Sequence, residues 1–185
     1  MQQKTILILG GYGNTGRALA RLLLQESNAL LVIAGRNIDK AQGFSDELNK
    51  TVKESRVRAV VADASDINSL RKAFSGVDCI VVASSTTQYT RQVADIALEA
   101  GISYLDIQYS TQKTALLKSM ASKIQQAGCI FISDGGFHPG LPGFLVRYAA
   151  RYFDEMLRAN VGSVIKEDWK SLEIADATMI ELIEL

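Results

Sequence analysis

Residues 4–16 read Lys-Thr-Ile-Leu-Ile-Leu-Gly-Gly-Tyr-Gly-Asn-Thr-Gly, an apolar run that passes straight into glycines spaced Gly11-x-Gly13-x-x-Gly16. Amphipathic sequence follows from Asn14 to about Ser27, with Ala18, Leu19, Leu22 and Leu23 at helical spacing. Few arrangements accept a buried strand, a glycine turn and a helix at these intervals. Gly11 permits the tight turn, Gly13 lets backbone approach a pyrophosphate, and Gly16 lets the helix pack against the strand. The helix start offers unpaired N–H groups and the positive end of its dipole to an anion, so the loop needs no lysine. Gly11, Tyr12, Gly13, Asn14, Thr15 and Gly16 are the expected phosphate-binding residues. A sharp turn alone would also use glycine, but the flanking strand and helix supply the context of a nucleotide loop.

Six short apolar runs recur with helical stretches between them: 4–9, 30–34, 56–61, 78–83, 103–107 and 129–132. Several are continuously apolar, as in Ile6-Leu-Ile-Leu9 and Ile80-Val-Val82, which suits strands buried on both faces of a parallel sheet. Gly101 and Gly128 stand where helices should end, each just before a new strand. Right-handed crossovers and a phosphate turn after the first strand predict an α/β fold, a doubly wound parallel sheet of Rossmann type with strand order 3-2-1-4-5-6. Both prolines fall in Gly135-Gly-Phe-His-Pro-Gly-Leu-Pro-Gly143, expected to be a loop, with a helix over 144–153 behind it. Residues 159–166 read as an extended segment without a partner in the nucleotide unit. The expected organisation is a dinucleotide domain over 1–153 and, over 154–185, the start of a truncated second domain or a linker.

Twenty Lys and Arg balance twenty Asp and Glu, and no basic cluster provides a field for nucleic acid or an anionic membrane. No apolar run approaches the roughly 20 residues that span a bilayer. The N-terminus enters a strand at once, leaving no room for a signal peptide, so a cytoplasmic location is expected. Cys79 and Cys129 lie in apolar strand-like runs and are expected to pack as small core residues. One histidine and the lack of paired cysteine spacing leave no ligand set for zinc, so no metal is expected.

At the tip of the second strand, where enzymes preferring the non-phosphorylated cofactor carry an acid for the ribose hydroxyls, the chain reads Ala34-Gly-Arg-Asn37. A guanidinium pairs bidentately with a 2′-phosphate that a carboxylate would repel, and Lys40 adds a second charge one turn on. NADP is therefore expected ahead of NAD, with Arg36, Asn37 and Lys40 at the ribose. Asp63 and Ala64 close the third strand, where a carboxylate meets the adenine amino group or caps the next helix, a task Ser65-Asp66 also suits. Ala83, Ser84 and Ser85 end the fourth strand, beside the nicotinamide ribose. Asp106, Tyr109 and His138 lie at the carboxyl edge of the sheet; Tyr109 and His138 are the candidates for moving a proton.

Together, Gly10-Gly-Tyr-Gly-Asn-Thr-Gly16, Ala34-Gly-Arg36, Asp78-Cys-Ile-Val-Val82, Tyr104-Leu-Asp106 and Gly135-Gly-Phe-His-Pro-Gly140 occur in an order that resembles the saccharopine dehydrogenase family. The resemblance runs from residue 4 to about residue 170. It implies an NAD(P)-dependent oxidoreductase, acting on an amine or imine, whose second α+β domain closes over the nicotinamide. Many relatives place a Gly-Glu pair after the Tyr-x-Asp element; this chain has Gln108-Tyr109-Ser110, so no substrate carries over. Two other readings stand beside it. Tyr109 and Lys113 match the Tyr-x-x-x-Lys pair of short-chain dehydrogenases, which reduce carbonyls. A nucleotide domain without a substrate site would be a non-catalytic NADP-binding sensor or scaffold. Apolar surface left by a missing second domain would also favour a homodimer.

Overall fold

The computed structural model describes residues 3–137, 140–162 and 164. Six parallel strands form one sheet: β1 (Thr5–Leu9), β2 (Leu30–Gly35), β3 (Val57–Val61), β4 (Cys79–Val82), β5 (Ser103–Asp106) and β6 (Phe131–Ile132). Their order is β3-β2-β1-β4-β5-β6, the doubly wound arrangement that the sequence predicts. Helices α1 (Asn14–Glu26), α2 (Ile38–Asn49), α3 (Ile67–Ala73), α4 (Thr90–Glu99), α5 (Thr111–Ser119) and α6 (Ala121–Gln126) link the strands, and α7 (Gly140–Ala150) follows β6.

Side chains alternate across the pleat, so each central strand feeds two cores. Ile8, Leu31 and Ile33 pack with Ala20 and Leu24 of α1 and Ala41, Phe44 and Leu48 of α2. Leu7, Leu9, Val32 and Ile80 pack on the other face with Leu70 of α3, Val93 and Ala97 of α4 and Leu117 of α5. The face α1 turns to the sheet is Gly16, Ala20 and Leu24, with Leu19 and Leu23 beside it. Ala18 and Leu22, expected on that face, point outward because Gly16 must meet the glycine loop, and this fixes the rotation of the helix. Gly101 and Gly128 take left-handed φ of 67° and 65° just past α4 and α6, as the helix-end reading requires.

Two local expectations are corrected. The segment 135–143 is not loop throughout: α7 begins at Gly140, because a proline in the first turn, Pro142, lacks only an N–H that has no acceptor there. Cys79 and Cys129 are only half-buried, since each sits at the opening residue of its run rather than at its centre. Burial and the neighbouring Asp78 push the Cys79 thiol up, away from thiolate chemistry. Of the extended segment expected over 159–166, residues 159–162 and 164 are described and belong to no strand, while 163, 165 and 166 lie outside the described residues.

Among the described residues no helix is long and apolar enough to cross a membrane, and no group of His, Cys, Asp and Glu side chains could hold a metal. Asp78 ties the start of β4 to β1, accepting from Lys4 Nζ at 2.7 Å and Thr5 N at 2.8 Å. The Lys4 hydrogen bond, then that from Thr5, holds its carboxyl below the ordinary 3.8. A hydrogen bond from Arg21 likewise holds Glu47 below 4.5. Carboxylates with depressed folded values stabilise above their unfolded range and lose that contribution as pH falls. The thermal midpoint is therefore expected to drop below about pH 4. Asp78→Asn should flatten that slope; an unchanged slope would assign the acid sensitivity elsewhere.

Candidate functional site

Along the carboxyl ends of β3, β2, β1 and β4 runs a groove of about 710 Å³. Its floor and walls include Leu9, Gly10, Tyr12, Gly13, Asn14 and Thr15 from the glycine loop and Gly35-Arg36 from β2. Ala62–Ser65 line it from β3, and Ala83–Thr86, Gln88 and Tyr89 from β4 and the 3₁₀ turn after it. Gly10 turns the chain with φ of 85°, and a Cβ there would stand 2.6 Å from Ser84 Cβ, so only glycine lets the β4 end close on the loop. The N–H groups of Gly10 and Gly11 donate to the Ala34 carbonyl at 2.8 and 3.1 Å, locking the loop onto β2.

Gly13 is the N-cap of α1, yet no side chain caps that helix and its first turn carries no acid. The amides of Asn14, Thr15 and Gly16 have no intrahelical acceptor. A helix end left open beside a groove is an anion site in waiting. Gly11 and Gly16 do not line the groove themselves; both are buried beneath it. A Cβ on Gly16 would fall on the Gly10 carbonyl oxygen and 2.7 Å from Gly11 Cα, so this glycine serves packing.

Tyr12 has a task the loop pattern does not reveal. Its ring lies over Gly35, where a Cβ would come within 2.5–2.9 Å of the ring atoms and hydroxyl, and its hydroxyl accepts from Asn37 N at 3.1 Å. The phosphate loop and the Arg36 turn are thus one rigid unit. Gly35→Ala is expected to push the ring aside and loosen both at once, which tryptic cleavage after Arg36 would register. Asn37 itself caps α2, its side-chain oxygen accepting from Lys40 N at 3.0 Å. Asn37 and Lys40 lie outside the groove lining, because α2 turns away from it at this cap.

Arg36 is exposed at the groove and forms no salt bridge among the described residues. Across from it, Asp63 accepts from Ser65 Oγ at 2.7 Å and Ser65 N at 2.9 Å. Those bonds, with Arg36's positive charge adding, hold the Asp63 carboxyl below its ordinary value. Asp66 caps α3 through Asn68 N and Ser69 N, leaving Asp63 free of that duty. On the far side, Ser84 Oγ and Thr86 Oγ1 stand 3.0 Å apart, while Gln92 of α4 donates to the Ala64 carbonyl beneath the floor. Gln88 and Tyr89 were not legible as groove residues, since their 3₁₀ turn follows strand and serine cues that suggest only a cap.

Tyr109 and His138 are the residues expected to move a proton. His138 lies outside the described residues. Tyr109 is half-buried, away from the groove lining, one residue before the Ser110 cap of α5. Lys113, 3% exposed, directs its ammonium to Asp106 Oδ1, to the Gln108 carbonyl and to Asp134 Oδ1, the last at 2.9 Å. Tyr109 and Lys113 therefore share no helix, and no hydrogen bond joins them among the described residues. Asp106, fully buried, also accepts from Tyr104 Oη at 2.8 Å and Asp134 N at 3.1 Å. Burial, with Asp106 beside it, pushes the Tyr104 phenol far above its usual range, so it stays a donor.

Residues 6–132, the strands and loops that build this groove, match the family model described as saccharopine dehydrogenase NADP binding domain. The chain belongs to this family. Its cofactor class is accordingly NADP, as the arginine at the β2 tip suggests. Carboxynorspermidine synthase of Vibrio cholerae serotype O1 is 27% identical across 79% of this chain and 40% of its own length. Apo saccharopine dehydrogenase (L-Glu forming) from Saccharomyces cerevisiae superposes with a TM-score of 0.67 at 18% identity, over 80% of this chain and 31% of that one. A short-chain type dehydrogenase/reductase from Mycobacterium ulcerans gives 0.60 at 20% identity, over 72% and 66%. These structural likenesses establish the fold. This saccharopine dehydrogenase-type domain spans well under half of the first two relatives.

Proposed function

We propose that the groove holds NADP(H) for hydride transfer to or from an amine, imine or carbonyl substrate, with the substrate-contacting groups supplied largely from outside residues 1–153. The observation that carries the reading is the uncapped α1 N-terminus opening onto a groove whose β2 tip carries Arg36, which has no salt-bridge partner among the described residues. The pyrophosphate lies against Gly13, Asn14 and Thr15, the 2′-phosphate on Arg36, the adenine by Asp63 and Ala64, and the nicotinamide ribose by Ala83, Ser84 and Ser85. The cofactor supplies the hydride chemistry; these residues hold and orient it. Kinship with a carboxynorspermidine synthase and the Tyr104-Leu-Asp106 and Gly-Phe-x-Pro-Gly elements support an amine or imine substrate over a simple carbonyl. Phe144, Tyr148 and Tyr152 on and after α7 stack in a row and are each about half or more exposed, which supports self-association.

Calorimetric titration with NADPH and NADH tests the cofactor assignment. NADPH is expected to bind more tightly, and Arg36→Ala to weaken NADPH by about 10- to 100-fold, the loss of a charged bidentate contact, while barely moving NADH. Equal losses for both would place Arg36 elsewhere than on the phosphate.

A further inference from the structure

The cluster at the ends of β5 and β6, with Asp106 and Lys113 buried and Asp134 half-buried, carries more charge than holding a strand end requires. One ammonium, Lys113, meets two carboxylates, Asp106 and Asp134, and a carbonyl, so among the described residues the cluster holds a formal excess of one negative charge. Asp134 sits at φ of 60°, a left-handed conformation that asparagine adopts as readily without the charge. Its second oxygen accepts from Thr114 Oγ1 at 3.1 Å, a bond an amide oxygen would also make. Neither backbone nor hydrogen bonding therefore calls for a second acid.

The position of the cluster suggests what the charge does. Arg36 and Asp63 mark the adenosine end of the groove, which places the nicotinamide at the β4 end. Asp106 stands opposite Val82 in β4, two residues before Ser84. Strand spacing of about 4.8 Å and a rise of about 3.3 Å per residue put Asp106 Cα roughly 8 Å from Ser84 Cα. Oxidised nicotinamide carries a positive charge and the reduced ring none. Asp106 and Lys113 are sealed from water and the Asp134 side chain is 22% exposed, so the charge of the cluster is only partly screened at such a range.

Resting on the cofactor reading above, we propose that the Asp106–Lys113–Asp134 cluster biases this domain toward the oxidised, cationic nicotinamide over the reduced, neutral one. Asp134 is the specificity-determining residue, acting through its charge rather than by contact.

The test compares dissociation constants for NADP⁺, NADPH and 2′,5′-ADP, which lacks the nicotinamide, on the full chain. Asp134→Asn makes the cluster neutral and keeps the left-handed turn. It should raise the ratio of the NADP⁺ constant to the NADPH constant about fivefold and leave 2′,5′-ADP binding unchanged. Asp134→Glu keeps the negative charge and the acceptor oxygens and should keep the wild-type ratio, a rescue by charge that a merely structural role would not give. An unmoved ratio in Asp134→Asn with intact 2′,5′-ADP binding overturns the inference alone, as does an Asp134→Glu variant that binds 2′,5′-ADP but shows the raised ratio. Wild-type protein that binds no 2′,5′-ADP overturns the cofactor reading and the inference with it.

Discussion

Lys113→Met is expected to cost this domain about 3–5 kcal/mol of stability, a large part of the roughly 5–15 kcal/mol that holds such folds together. Among the described residues the ammonium is the only cation on Asp106, whose side chain is 0% exposed. Methionine fills the space of the lysine stem, so packing alone would predict a small effect. What dominates is the desolvated carboxylate left with hydroxyl and amide donors and no counter-charge. Urea unfolding at neutral pH, read as a midpoint shift with unchanged slope, measures the loss. Asp134→Asn, which leaves Lys113 and Asp106 paired one to one, should cost much less. A loss under about 1 kcal/mol for Lys113→Met would mean that the cluster opens to water and is not sealed as the structure shows.

Gly13→Ala and Gly16→Ala, three residues apart in one motif, are expected to fail in opposite ways. At Gly13 the backbone is extended, with φ of −72°, and an added Cβ meets only the Gly10 carbonyl at 3.2 Å, so the fold should lose no more than about 1 kcal/mol. That Cβ occupies the surface where backbone amides must approach phosphate oxygens, and affinity for NADPH should fall about 100-fold as charged hydrogen bonds are lost. At Gly16 the Cβ strikes the Gly10 carbonyl and stands 2.7 and 2.9 Å from backbone atoms of Gly11, neither of which can rotate away. Stability should drop by about 3 kcal/mol, with binding lost as a consequence of the displaced loop. Melting and titration on the two variants separate these outcomes. Equal melting points would show that α1 shifts to admit the Gly16 methyl. Undiminished NADPH binding in Gly13→Ala would remove the pyrophosphate from this loop.

Much of the site was readable along the chain because its parts are local. The glycine spacing, the arginine at the β2 tip and the acid at the end of β3 are each short patterns beside a strand end. The topology then delivers all of them to one edge of the sheet. The reading faltered where partners are distant or where one residue type serves two ends. Tyr109 and Lys113 looked like a catalytic pair because they are four apart. In the fold Lys113 turns to Asp106 and to Asp134, twenty-one residues on, and a buried ammonium follows the nearest anions whatever their place in the chain. Asn37, expected at the ribose, also caps α2 in the fold, since the same amide oxygen suits either task.

From sequence alone came the strands, their parallel order, the nucleotide loop and the preference for a phosphorylated cofactor, all consequences of hydrophobic period, glycine conformation and charge sign at a single position. Tertiary structure decided which side chains meet. It laid Tyr12 across Gly35, turned Gly16 into a packing residue, and brought a buried lysine to one buried and one half-buried acid at the ends of β5 and β6. Such meetings depend on register between strands and the rotation of each helix, which are set only when the whole core closes and every buried charge must find its counter-charge at once.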